Sequence, residues 1–248
     1  MPKPELIIVK TGRAVPQARG DGHDFEHWFA EGLGIDRFDY RTVCVHTGEV
    51  LPPLASLDRQ PAVLVTGSPA MVSDRLDWSE RTASWLAGAH AAGVPMLGVC
   101  YGHQLLAHAL GGGVGPNPDG RRMGRVLVEF TDPDDPLTGP FVPRAGFNVS
   151  HLEVVFEPPA GARVLGTTGH DPYHVLQFGN LSWGVQFHPE FDRAIMQSYI
   201  EARSEPLEAE GQDPAKLVAG LDENPNGYPF LARFAELALA VADGSHHQ

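Results

Sequence analysis

The chain has 248 residues, 42% of them hydrophobic, which suffices for a full core and predicts one domain over 1–248. Acidic residues outnumber basic ones 31 to 18, for a formal charge of −13, so a nucleic-acid backbone or an anionic membrane surface would be repelled. The apolar stretch in MPKPELIIVK is too short for a signal peptide, no run of about 18 apolar residues occurs, and Cys44 and Cys100 make no disulfide framework; a cytoplasmic protein with free thiols is expected.

In chain order, ELIIVK (5–10), FDYRTVCVH (38–46), PAVLVTG (61–67) and VPMLGVC (94–100) read as strands. LIIV and AVLV lack polar alternation, as strands of a parallel sheet covered on both faces do. HDFEHWFAEGL (23–33) and DWSERTASWLAGAHAAG (77–93) have helical spacing, the second ending at Gly93 and Pro95. YGHQLLAHALGG continues as a helix, with Leu105, Leu106, Ala109 and Leu110 on one face. From Gly124 the pattern alternates in 124–130, 161–168, 173–179 and 181–191, and Gly179-Asn180 marks a two-residue hairpin. Helices return over 192–204 and 228–242, joined by a polar connector with one short helix. The expected fold is α/β: a flavodoxin-like open sheet, mostly parallel, with helices on both faces, an additional antiparallel β region, and a C-terminal helical extension over about 195–248. The terminal GSHHQ receives no functional weight.

Cys100 stands where a strand meets a helix, in Gly98-Val99-Cys100-Tyr101-Gly102. This is the G-x-nucleophile-x-G elbow with cysteine in place of serine: glycines flank the bend because side chains there would strike neighbouring backbone. A helix N-terminus beneath the sulfur favours thiolate over thiol. The competing reading is a small buried core residue, which is the reading adopted for Cys44 inside its apolar strand.

A thiol nucleophile needs a base. His103 and His108 point away from the thiol or lie too far along its helix, and His23, His27 and His90 lie in helical segments without chemical neighbours. His170 and His174 flank Asp171, but no further ligand completes a metal site, so no metal and no cofactor are expected. His188 ends the apolar run WGVQF, and Glu190 follows at a spacing that lets a carboxylate orient the imidazole. A strand-terminal histidine beside a solvated glutamate is the plainer alternative for this tripeptide taken alone. The oxyanion hole would combine the Tyr101 N–H with one from the loop after strand 62–66, where Pro69 has no N–H and leaves Gly67 or Ser68.

GVCYGHQ followed by GVQFHPE, with a Gly-Ser-Pro loop ahead of both, resembles the class I (triad-type) glutamine amidotransferases, and most closely the glutaminase domain of GMP synthases. The likeness spans roughly 60–195. It implies Cys100 as nucleophile, His188 as proton carrier and Glu190 as its orienting group, forming a γ-glutamyl thioester. It also implies substrate contacts from Gln104 and from Ser150-His151-Leu152-Glu153, where Glu153 would meet the substrate α-ammonium. Leu152 and Glu153 depart from the Gly-Asp of the family, and the longer Glu153 shifts the pocket or admits another γ-glutamyl compound. No Ser-Gly-Gly-x-Asp-Ser nucleotide loop and no Gly-Lys dipeptide occurs. Three functions follow from the resemblance: a stand-alone glutaminase that passes ammonia to a separate synthase subunit, a γ-glutamyl peptidase that needs no partner, or a non-catalytic binder of γ-glutamyl ligands.

Overall fold

The uninterrupted apolar runs lie side by side in the middle of a mixed sheet. A computed structural model describes residues 3–20, 22–56, 61–179 and 181–244. The first half comprises β1 (Glu5–Lys10), α1 (Phe25–Leu33), β2 (Asp39–Cys44), β3 (Ala62–Val65), α2 (Asp77–Ala91), β4 (Met96–Val99) and α3 (Tyr101–Ala109). Seven strands follow: β5 (Gly113–Pro116), β6 (Arg122–Phe130), β7 (Arg144–His151), β8 (Glu153–Glu157), β9 (Arg163–Thr168), β10 (Asp171–Gly179) and β11 (Ser182–Val185). The chain continues with α4 (Arg193–Glu201), α5 (Ser204–Ala209), α6 (Pro214–Ala219) and α7 (Gly227–Ala242).

The nine-stranded sheet runs β2-β1-β3-β4-β11-β10-β9-β6-β7, with β5 and β8 forming a separate pair. Strands β2 to β11 in this order are parallel, and β10, β9, β6 and β7 extend the sheet antiparallel. Strand periodicity explains why LIIV is apolar throughout. Leu6 and Ile8 join the core containing Phe29 of α1 and Phe234 of α7, while Ile7 and Val9 join the core containing Leu86 of α2 and Leu105 of α3. The architecture is the expected flavodoxin-like α/β fold with helices on both faces. Parallel strands end at one edge, so the residues after β1, β3, β4 and β11 gather at a single crevice.

Several elements differ from the sequence reading. The run 181–191 is a strand only over Ser182–Val185. Val185 pairs with Val99, the last residue of β4, and Cys100 N donates to Val185 O at 2.8 Å. Beyond that point the elbow removes the neighbouring strand, and His188 keeps one isolated bridge to Asn148. The connector carries two short helices, α5 and α6, not one; Asp213 caps α6 with Pro214 in its first turn. Strands β5, β7 and β8 have no counterpart in the sequence reading. Cys44 is half-buried, not core, because its strand is at the sheet edge. Strands β10 and β11 pair antiparallel as a hairpin, with Gly179 the last residue of β10 opposite Ser182; Asn180 of the expected turn, like residues 245–248 of the terminal GSHHQ, lies outside the described residues. No helix among the described residues is long and apolar enough to cross a membrane.

The joint between β4 and α3 tolerates no side chain at either glycine. A Cβ on Gly98 would stand 2.4 Å from Gly102 O, and one on Gly102 would stand 2.3 Å from Val65 O. Gly98→Ala is therefore expected to lower the unfolding free energy by about 2 kcal/mol or more. Gly169→Ala, whose Cβ would meet nothing within 4 Å, should stay within about 1 kcal/mol of wild type. Urea denaturation monitored by circular dichroism compares the two.

Candidate active site

Cys100 adopts φ 53° and ψ −104°, outside the regions that L-residues favour. Its neighbours hold it there: its N–H is tied to Val185 O, and its carbonyl accepts the Gln104 N–H at 3.1 Å as the first bond of α3. Such a conformation costs about 1–3 kcal/mol. It is sustained because the strand before it and the first two turns of the helix after it are buried. Cys100 occupies the N-cap position of α3, is 6% exposed, and places Sγ 3.7 Å from the Ser150 carbonyl oxygen.

His188 reaches the same point from the far side of β11. Its Nδ1 and Glu190 Oε1 are 2.7 Å apart, with Glu190 fully buried. A carboxylate can only accept, so Nδ1 carries hydrogen and Nε2 is left for the thiol, which lies within hydrogen-bonding reach. The turn that brings Glu190 back under the ring is pinned by two asparagines. Asn148 Nδ2 and Asn224 Nδ2 each donate to Phe191 O at 2.9 Å, and His188 N donates to Asn148 O at 2.8 Å. Phe191 stacks on the imidazole at 4.0 Å. Burial opposes charge on His188, but the Glu190 carboxylate and then the Cys100 side chain outweigh it and push the imidazolium up to about 10.

The loop after β3 closes the third side. Thr11 Oγ1 donates to Gly67 O at 2.9 Å, and Ser68 Oγ donates to Thr11 O at 2.8 Å, which fixes the loop to the end of β1. A Cβ on Gly67 would fall 2.9 Å from His188 Cε1, so only glycine lets this loop approach the ring. Ser68 lines the cleft, as does Tyr101, whose N–H at the start of α3 has no acceptor within its own helix. The Tyr101 hydroxyl points elsewhere, to Ser79 Oγ at 2.6 Å.

Gln104, Ser150, His151 and Glu153 all line the same 260 Å³ cleft as Cys100 and His188. That volume lies just below the roughly 300–1,000 Å³ usual for drug-sized ligands and suits a small metabolite. Gln104 Nε2 is committed to Glu153 O at 2.7 Å and Gln186 Oε1 at 3.0 Å. Glu153 Oε2 accepts from Val72 N at 2.8 Å and Ser73 N at 3.3 Å, while Oε1 has no protein partner. His151 donates through Nδ1 to Glu153 O, at 3.1 Å, and burial presses its pKa down to about 3, so the ring is neutral.

Several other histidines have structural partners. His103 is fully buried beside Gly184 and Phe178, and burial lowers its pKa to about 4. His27, His90 and His108 do have neighbours, contrary to the sequence reading of the first two: His27 completes the cap of α1, His90 bonds Ser182 Oγ at 3.0 Å, and His108 pairs with Glu80 at 3.0 Å. His174 pairs with Asp171 at 2.9 Å, and among the described residues no group of three or more His, Cys, Asp or Glu is placed to hold a metal ion. Sequence reasoning missed Phe25, Tyr199, Arg13, Arg121 and Arg203 on the cleft wall, and Asn148 and Asn224 behind it. Each arrives from a distant segment, and none carries a local motif.

The sequence profile of class-I glutamine amidotransferases matches residues 40–203, about two thirds of the chain. The chain belongs to this family. It is 34% identical over 158 residues to a glutamine-hydrolyzing GMP synthase of Aeropyrum pernix, a match covering 62% of this chain and 28% of that protein. It is also 34% identical over 148 residues to one subunit of the glutamine-hydrolyzing GMP synthase of Saccharolobus solfataricus, covering 57% of this chain and 75% of that subunit. This amidotransferase therefore spans about a quarter of the length of the long GMP synthases it matches and most of the separate subunit. Its fold is shared with a glutamine amidotransferase of Thermotoga maritima, at TM-score 0.76 and 20% identity over 96% of this chain and 99% of the other. A glutamine amidotransferase of Methylobacillus flagellatus gives a TM-score of 0.71 and 22% identity over 100% and 99%.

The electrostatics around His188 give a direct expectation. Carbon-13 chemical shifts of its ring should report an imidazolium throughout pH 7–8, losing its proton only near pH 10. Glu190→Gln removes the largest attraction and should bring that titration down by about a unit or more. A neutral His188 ring at pH 7 in the wild type would contradict the assignment.

Proposed function

We propose that this amidotransferase hydrolyses the side-chain amide of glutamine through a thioester on Cys100. The thiolate attacks the γ-carbonyl carbon, and the oxygen that becomes negative is met by the backbone N–H groups of Tyr101 and of Ser68 or Gly67. His188, protonated through its contact with Glu190, gives its proton to the nitrogen as the carbon–nitrogen bond breaks. Ammonia leaves, His188 takes a proton from water, and the hydroxide opens the thioester to glutamate and free thiol. Glu190 stays ionised and holds the ring in place. Glu153 Oε1, buried without a protein partner, is suited to the α-ammonium of the substrate, with Gln104, Ser150 and His151 completing that wall.

The observation that carries this reading is the pairing of a strained cysteine at a helix N-terminus with a buried, carboxylate-bound histidine within reach of its sulfur. The likeness to a relative that is itself named as a synthase subunit supports a protein that releases ammonia for a second chain, which activates the acceptor.

Purified protein incubated with glutamine should yield glutamate and ammonia in equal amounts. Cys100→Ala should lower that rate by about a thousandfold or more, and a glutamine-mimicking electrophile should add once, at Cys100, by mass spectrometry. Ligand binding without adduct or turnover would establish a binding protein instead.

A further inference from the structure

The sheet opens on one side of β6. Strand β9 pairs with β6 at Glu129 and Phe130, and the pairing goes no further toward Arg122. Residues 125–127 of β6 and 168–171 at the β9–β10 turn line a second cavity there, of 270 Å³. His151 belongs to the wall of this cavity and to the wall of the catalytic cleft, so the two spaces are neighbours.

The polar groups of the second wall are incompletely bonded. Asn117 is 6% exposed and His174 is 1% exposed, yet Asn117 Nδ2 and His174 Nε2 have no hydrogen-bond partner among the described residues, and neither has the buried Arg122 Nε. Buried polar atoms left unbonded lower stability, so a cavity that collects three of them suits a ligand that supplies the bonds.

The bonds already made show what is left to offer. Asn117 Oδ1 accepts the Asp119 N–H at 3.1 Å, so the amide nitrogen is the free end. Arg122 donates from Nη2 to Asp119 at 3.1 Å and keeps Nε. Thr168 Oγ1 accepts the Asp171 N–H at 3.1 Å and still has its own hydrogen to give. His174 Nδ1 donates to Asp171 Oδ2 at 2.9 Å, which leaves a lone pair on Nε2 of the neutral ring. The carboxylate of this wall is itself occupied, since the other oxygen of Asp171 accepts the Tyr173 N–H at 3.0 Å. Three donors, one of them cationic, therefore stand with one acceptor. A metal cation would meet N–H and O–H groups, and a carboxylate has no hydrogen for His174. A phosphate group that keeps one O–H satisfies all four.

We propose that this cavity is a phosphate-binding site separate from the catalytic cleft, in which Arg122, Asn117 and Thr168 donate to phosphate oxygens and His174 Nε2 accepts the phosphate O–H. The ligand is inorganic phosphate or the phosphate of a small ester. The site does not depend on the thioester reading.

Isothermal titration of the whole protein with inorganic phosphate and, separately, with methyl phosphate tests the site. Wild type should bind one equivalent, and the tighter of the two probes tells the free ion from the ester. Asn117→Asp keeps the oxygen that Asp119 uses and exchanges the free donor for an acceptor; it should weaken binding by about tenfold or more, as should Arg122→Gln. Arg121→Gln changes the neighbouring arginine, which lines the catalytic cleft instead, and should bind as wild type does. Circular dichroism checks that each variant is folded, and the wild-type titration needs no variant. No binding of either probe at millimolar concentration overturns the site, as does an affinity unchanged in folded Asn117→Asp or a loss confined to Arg121→Gln.

Discussion

The close packing of β4, α3 and β3 at two glycines is the constraint on which the site depends. With no side chain on Gly98 or Gly102, the helix start settles directly against strand backbone, and Cys100, midway between them, is held at positive φ. The strain at Cys100, about 1–3 kcal/mol, is small beside what the helix contributes. Tyr101, Leu105 and Leu106 are each almost fully buried on α3, and every such side chain is worth about 1.5–3 kcal/mol. Packing wins, and the sulfur is held at the edge of the sheet where α3 begins. The same turn ends the pairing of β11 with β4 at Val185, which frees 186–191 on the β4 side while Gln186 and His188 stay bonded to His174 and Asn148.

Much of this was legible in the sequence because it is encoded by neighbours in the chain. The central strands β1, β3 and β4 are apolar runs, the elbow is five consecutive residues, and His188 with Glu190 is a tripeptide whose geometry follows from its spacing. The terminating strand was read too long, since the event that ends β11 happens at the end of β4, far earlier in the chain. Strand β7 was missed although Ala145, Phe147 and Val149 alternate with Gly146, Asn148 and Ser150; its polar face is itself largely buried. Asn148 and Asn224 pin the turn over 188–191 from distant segments, and nothing about either asparagine marks it locally.

The polar chemistry of the cleft divides into two halves. On one side, Glu153 is anchored to the backbone at Val72 and Ser73 and retains one unpaired oxygen, while His151 is kept neutral by burial. On the other, an aromatic stack runs from His188 through Phe191 to Tyr199, ending at the Arg203 guanidinium. Helix α7 packs against α1, while Tyr199 in α4 and Arg203 just after it line the cleft.

Sulfur and imidazole act as one unit across the top of the sheet only if the ring holds the thiol in its reactive form. The most direct measurement is the rate at which iodoacetamide alkylates Cys100 at neutral pH, resolved from Cys44 by peptide mass spectrometry, in wild type and in His188→Ala. Coupling predicts that the variant reacts more slowly by about tenfold or more. Equal rates in the two proteins would contradict it.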